Sequence, residues 1–141
     1  MHFDPNNNIV KLCAEGMEFE GKGEPEKAQQ QFLQAWEGST NNLEKFIAAH
    51  YIARHQNNVA DKLKWDEISL QLALQIEDNE MKANYPSLYL NIAKCYEDLK
   101  DLHKANEYFQ LAQSFAGNLP NDGYGTMIRS GIKNGIERTS V

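Results

Sequence analysis

Basic patches, long apolar runs and alternating apolar–polar stretches are all missing from this chain, and each absence removes a class of protein. Fourteen Lys and Arg against twenty Asp and Glu leave a net charge of −6, whereas a nucleic-acid surface needs a basic patch or stripe. The longest basic cluster is Lys62 with Lys64, and acids sit beside it. No run approaches the roughly 18 apolar residues of a membrane span. Strict alternation over a useful length is absent too, which argues against strands. Cysteine is scarce: Cys13 and Cys95 show no pairing spacing and read as reduced thiols of a cytoplasmic protein. Met1 to Asn8 lacks the charged and apolar blocks of a secretory signal. The expectation is a cytoplasmic protein without nucleic-acid or membrane contacts. Its 141 residues suit one domain with a real core.

What the chain has is an echo. Leu12, Gly16, Phe19, Ala28, Phe32 and Ala35 return as Tyr89, Ala93, Tyr96, Ala105, Phe109 and Ala112, each displaced by 77 (12 to 89, 35 to 112). Self-similarity at a fixed offset marks stacked units that bury their apolar faces against neighbours. Helix signals fill the spaces between. Asn6-Asn7-Asn8 caps a first helix, and Gly21-Lys22-Gly23-Glu24-Pro25 breaks it and starts a second. Asn41 and Glu44 stand at capping-box spacing before a third. Asn57-Asn58 opens a fourth with the stripe Trp65, Ile68, Leu72 and Ile76. The polar stretch Glu77 to Asn84 precedes Tyr85-Pro86 and a fifth helix; the sixth stops at Gly117. A last helix carries Met127, Ile128, Ile132 and Ile136, with Gly131 and Gly135 on one face for a close crossing. With one neighbour, that helix is expected to be the weakest element.

The pattern of a large apolar residue, a small one, an aromatic, then Ala, Phe and Ala resembles the tetratricopeptide repeat, a hairpin of two antiparallel helices about 34 residues long. The resemblance implies an all-α fold: a right-handed superhelical array of three repeats, at about 9–40, 41–84 and 86–117, with a capping helix at about 122–138. Ile47-Ala48-x-x-Tyr51 matches Ile92-Ala93-x-x-Tyr96, so the middle repeat carries about ten extra residues, and its second helix lacks the Ala-x-x-x-Phe-x-x-Ala signature.

Family membership further implies a concave groove that binds a protein or peptide, with no catalysis and no cofactor. The inward positions carried over are Cys13, Met17 and Glu20; Lys45, Phe46, Ala49 and Ile52; Leu90, Asn91, Lys94 and Glu97; and Arg129. Lys45, Asn91 and Arg129 match three of the five residues with which some members grip a peptide carboxylate. Ala49 and Gly125 stand at the other two places, with Lys94 as a partial substitute. The groove residues of this reading are therefore Met17, Lys45, Phe46, Ile52, Asn91, Lys94 and Arg129.

Two other readings remain open. Cys13, Met17, His50 and Phe46 suit a pocket for an apolar small ligand, as in an accessory subunit of an enzyme. Trp36 and Trp65 fall on outer helices, where exposure would mark a self-association patch, so the chain is expected as a monomer or a homodimer. His50 and His55 do not share a helix face, and His2 and His103 are isolated, so no metal site is expected. Neither cysteine sits at an electropositive helix start.

Overall fold

The structure of the protein, a computed structural model, describes residues 4–140, and His2 lies outside them. Among the described residues there are seven α-helices, two 3-10 helices and no strand, so the protein is all-α. The helices fall into two compact units, Met1–Ile76 and Glu77–Val141.

The first unit holds α1 (Asn8–Gly21), α2 (Pro25–Gly38), α3 (Asn42–Arg54) and α4 (Val59–Leu74). Three of the four starts are fixed by a capping side chain, and α2 begins on Pro25 without one. Asn7 accepts from the N–H groups of Ile9 and Val10, Asn41 from Glu44 and Asn58 from Asp61. The Glu44 side chain reaches back past the cap, taking the Thr40 N–H at 2.9 Å and the Asn7 side-chain amide at 2.8 Å. Asn7 therefore ties the start of α1 to the start of α3. Packing runs α1 on α2, α2 on α3, α3 on α4, with α1 also on α3, and Ala28, Phe32 and Ala35 of α2 are wholly buried.

The fourth helix departs from the expected stripe. Asp66, Ser69, Leu70 and Ala73 are its buried residues, while Trp65, Ile68 and Leu72 are half-buried and Ile76 lies beyond the helix end. Small residues allow α4 to approach α3, and the larger side chains flank the contact. Asp66, Leu70 and Ala73 repeat the spacing of Ala28, Phe32 and Ala35 with a displacement of 38 (28 to 66, 35 to 73). The spacing of the signature is thus kept while its residues are not, with a carboxylate in place of the first alanine and a leucine in place of the phenylalanine. Trp36 and Trp65 meet edge to face at 5.1 Å, so each covers the other between α2 and α4.

The second unit opens with a 3-10 helix (Asn79–Asn84), followed by α5 (Tyr85–Asp98), α6 (Leu102–Ser114), a short 3-10 turn (Ala116–Asn118) and α7 (Gly123–Thr139). The stretch 77–84, read as a polar end to the middle repeat, belongs to this unit and sends Met81 into its core with no exposure. The last helix packs on both α6 and α5 rather than on one neighbour. Its buried residues form a single stripe, Gly125, Ile128, Ile132, Gly135 and Thr139, and Ser130, Lys133, Asn134 and Glu137 are exposed.

The two units share one turn in atomic detail. After α1, Glu24 donates its N–H to the Phe19 carbonyl (2.9 Å) and Gly23 to that of Glu20 (3.1 Å). After α5, Asp101 donates to Tyr96 (2.9 Å) and Lys100 to Glu97 (3.0 Å). Both are Schellman closures with a left-handed residue at the same place, Gly23 at φ 73° and Lys100 at φ 67°. A side chain there costs roughly 1–2 kcal/mol, and glycine's freer unfolded chain returns roughly half of it. Lys100→Gly is therefore expected to stabilise the second unit by about 0.5–1 kcal/mol. A urea midpoint that stays put or falls would show that Lys100 adds compensating contacts.

Candidate functional site

Four of the seven groove residues lie in the first unit. Phe46 and Ile52 are core residues, at 6% and 0% exposure, whereas Met17 at 46% is open to solvent and Lys45 is half-buried on α3. Three lie in the second. Asn91 is half-buried and Lys94 exposed on α5. Arg129 is committed elsewhere: its guanidinium donates to the carbonyls of Leu119 (3.1 Å), Pro120 (3.3 Å) and Ala116 (3.4 Å). Those carbonyls belong to the 3-10 turn and loop that follow α6, where Ala116 also accepts the Leu119 N–H at 3.1 Å, so Arg129 holds the loop onto α7. Gly125 belongs to the same arrangement, since a Cβ there would strike the Pro120 carbonyl. As surfaces for a ligand, Met17, Lys45, Asn91 and Lys94 remain.

A second set of charges was not picked out from the sequence as a group. At the end of α1 the Glu20 carboxylate is held by Arg54 Nη2 (3.0 Å) and by a ring nitrogen of His55 (2.7 Å), and the His55 ring lies 5.4 Å from that of Phe32. At the end of α5 the Glu97 carboxylate is held bidentately by Arg138, at 2.8 and 2.9 Å. Arg138 keeps the Glu97 carboxyl below the ordinary carboxylate range, so this pair adds stability above about pH 4.5 that is lost on further acidification. Glu20 and Glu97 are themselves 77 apart, which is the signal that finds them. Each pair staples the first helix of a hairpin to the helix after it, and both partners are thereby taken out of use.

The hairpin of α3 and α4 contains a buried polar group of a different kind. Asp66, 6% exposed, receives Lys62 Nζ at 2.7 Å. Ser69 is 1% exposed and its hydroxyl has no hydrogen-bond partner. An orphaned buried hydroxyl costs about 1–3 kcal/mol, so Ser69→Ala is expected to stabilise the first unit by about 1 kcal/mol. A lower thermal midpoint for this variant would mean that the hydroxyl bonds after all.

The chemistry available is limited by burial. Cys13 is 3% exposed and burial pushes its thiol up to about 11, so it is a packed thiol and no thiolate nucleophile. Cys13 and Phe46 are filled-in core positions rather than the walls of a pocket, His50 is half-buried and Met17 is exposed. Among the described residues no group of His, Cys, Asp or Glu converges as a metal site, and no helix is long and apolar enough to cross a membrane. Compared with known families, curated proteins and solved structures, the chain matches none.

Proposed function

We propose that this chain is a non-catalytic binding module built of tetratricopeptide-type hairpins, holding a protein or peptide on the inward faces of its first helices. The observation that carries this reading is the repetition of one packing plan. The same Schellman turn, buried Ala-x-x-x-Phe-x-x-Ala helix and terminal Glu–Arg staple occur in both units. Repetition of that kind produces extended faces, which suit a macromolecular partner better than an enclosed reaction centre. The face of α1 and α3 offers Met17 and Lys45, and that of α5 offers Asn91 and Lys94, an amide and a cation suited to peptide carbonyls and carboxylates.

The test uses affinity capture with wild type and two double variants, Met17→Ala/Lys45→Ala and Asn91→Ala/Lys94→Ala. All four residues are at least partly exposed, so the fold is kept. Arg129 is left alone because its loss would release the 116–120 loop. A partner that is retained by wild type and weakened tenfold or more by either pair supports the reading. A partner retained undiminished by both pairs would refute the assigned faces.

A further inference from the structure

The repeat that relates the two units breaks at one place on the surface. Trp36 stands in the last turn of α2, and the residue displaced from it by 77 is Gln113 of α6 (36 to 113). In the first unit the tryptophan meets Trp65 of α4 edge to face at 5.1 Å. In the second unit a smaller amide takes its position, and a notch of about 460 Å³ lies there. Its lining is Gln113, Ala116 and Gly117 at the end of α6, with Arg129 and Lys133 of α7.

The far wall departs from the first unit in the same sense. Arg54 of α3 holds Glu20 as Arg138 of α7 holds Glu97, which relates the two helices by a displacement of 84 (54 to 138). On that register the buried Phe46, Ala49 and Ala53 of α3 return as Ser130, Lys133 and Glu137, all exposed. The covered side of α3 is a wet side in α7, and Lys133 carries it into the notch.

The charge of the notch is uncompensated. None of its five lining residues is acidic. Arg129 donates to the carbonyls of Ala116, Leu119 and Pro120, which neutralise no charge and leave at least two of the five guanidinium N–H groups unused. Lys133, one turn along α7, is exposed and bonds to no protein group among the described residues. Like charges four apart on a helix repel, so the pair weakens α7 while Lys133 adds no contact to the fold. An anion between the two reverses that repulsion. A phosphate monoester brings close to two negative charges and three acceptor oxygens at neutral pH, which match two cations and an amide; a carboxylate brings one charge and two oxygens. The loop carbonyls already fix the guanidinium, so less freedom is lost on binding.

We propose that the notch between the end of α6 and α7 binds a phosphate monoester, with Lys133 and Arg129 supplying the charge and Gln113 an amide donor. The site uses none of the residues assigned above to a protein partner, so the two assignments stand or fall separately. The ester is either a free small molecule or a phosphorylated side chain.

NMR titration of the full chain at pH 7.5 and constant ionic strength tests the site, with inorganic phosphate, glycerol phosphate, a short phosphoserine peptide and acetate as probes. The phosphate probes are expected to give saturable shifts at the Gly117 backbone amide and the Gln113 side-chain amide, with acetate roughly tenfold weaker or worse. Lys133→Ala is expected to weaken phosphate binding roughly tenfold. Gln113→Trp, which restores the residue of the first unit, should abolish it, and Lys94→Ala on α5 should leave it unchanged. Tighter binding of glycerol phosphate supports the site with a free ester as its ligand; tighter binding of the peptide supports it with a phosphorylated partner. Shifts that do not saturate, acetate binding as tightly as phosphate, or Lys133→Ala binding like wild type overturns the proposal. Should the variants fail to fold, the comparison of phosphate with acetate on wild type decides in the same terms.

Discussion

Phe32→Ala and Phe109→Ala are each expected to cost about 3–5 kcal/mol, the full range for removing a buried aromatic ring without collapse of the space it leaves. Both rings have no exposure. Phe32 stacks on Tyr51 at 4.9 Å and has the His55 ring on another side. Phe109 lies over Gly135 and has the Arg138 guanidinium 6.0 Å from its centroid. The Phe32 ring joins α1, α2 and α3, and the Phe109 ring joins α6 to α7, so neither gap closes without moving a whole helix. Urea unfolding measured by tryptophan emission reads the first unit, and amide exchange of α6 reads the second. A loss under about 1 kcal/mol at either ring would remove it from the centre of the packing plan.

The complementary substitutions test the holes rather than the plugs. A Cβ built on Gly16 falls within 2.9 Å of three Phe32 ring atoms, and one on Gly135 within 2.5 Å of three Phe109 ring atoms. Alanine in mid-helix normally stabilises by about 1 kcal/mol relative to glycine. Here overpacking against a ring that cannot retreat should outweigh it, for a net loss of about 1–3 kcal/mol. Gly21→Ala is the control, because nothing lies within 4 Å of its Cβ position, and it should be neutral or mildly stabilising. The urea midpoints of the three variants make the comparison. Equal behaviour of Gly16→Ala and Gly21→Ala would mean that the Phe32 ring has room to swing away.

Seen from these sites, the sequence was most readable where geometry leaves few choices. A helix crossing over a ring needs glycine or alanine, and a sharp helix end needs a cap, so Gly16, Phe32, Asn41 and Glu44 declare themselves by residue type. Gly131 and Gly135 looked equivalent, yet the second sits under a ring and the first only approaches Leu90, at 3.3 Å from a built Cβ. That distinction depends on helix rotation, which spacing alone does not determine.

The unreadable parts have physical reasons too. Hydrophobic periodicity ranks Trp65 and Ile68 as the inner face of α4, but the contact with α3 selects for small size and accepts Asp66 because Lys62 reaches it. Lys100 hides a left-handed turn that glycine announces at position 23. Met81 lies in a short 3-10 helix, too brief for a periodic signal. Among the site residues, Arg129 matched a carboxylate-binding position by register. Its use on loop carbonyls follows from the path of residues 116–120, which no motif encodes. Position in a repeat identifies where a side chain starts; what it bonds to depends on which unsatisfied groups lie within reach.

The central claim is that one plan, a phenylalanine plug closing over a glycine, is executed in each unit, through the hairpin's own first helix in one and the following helix in the other. Ring-to-α-proton nuclear Overhauser contacts test it most directly. The account expects strong cross-peaks from the Phe32 ring to the Gly16 α-protons and from the Phe109 ring to the Gly135 α-protons, with those glycine protons moved upfield by the ring currents. Gly16 and Gly135 α-protons at ordinary shifts, without cross-peaks to either ring, would contradict it.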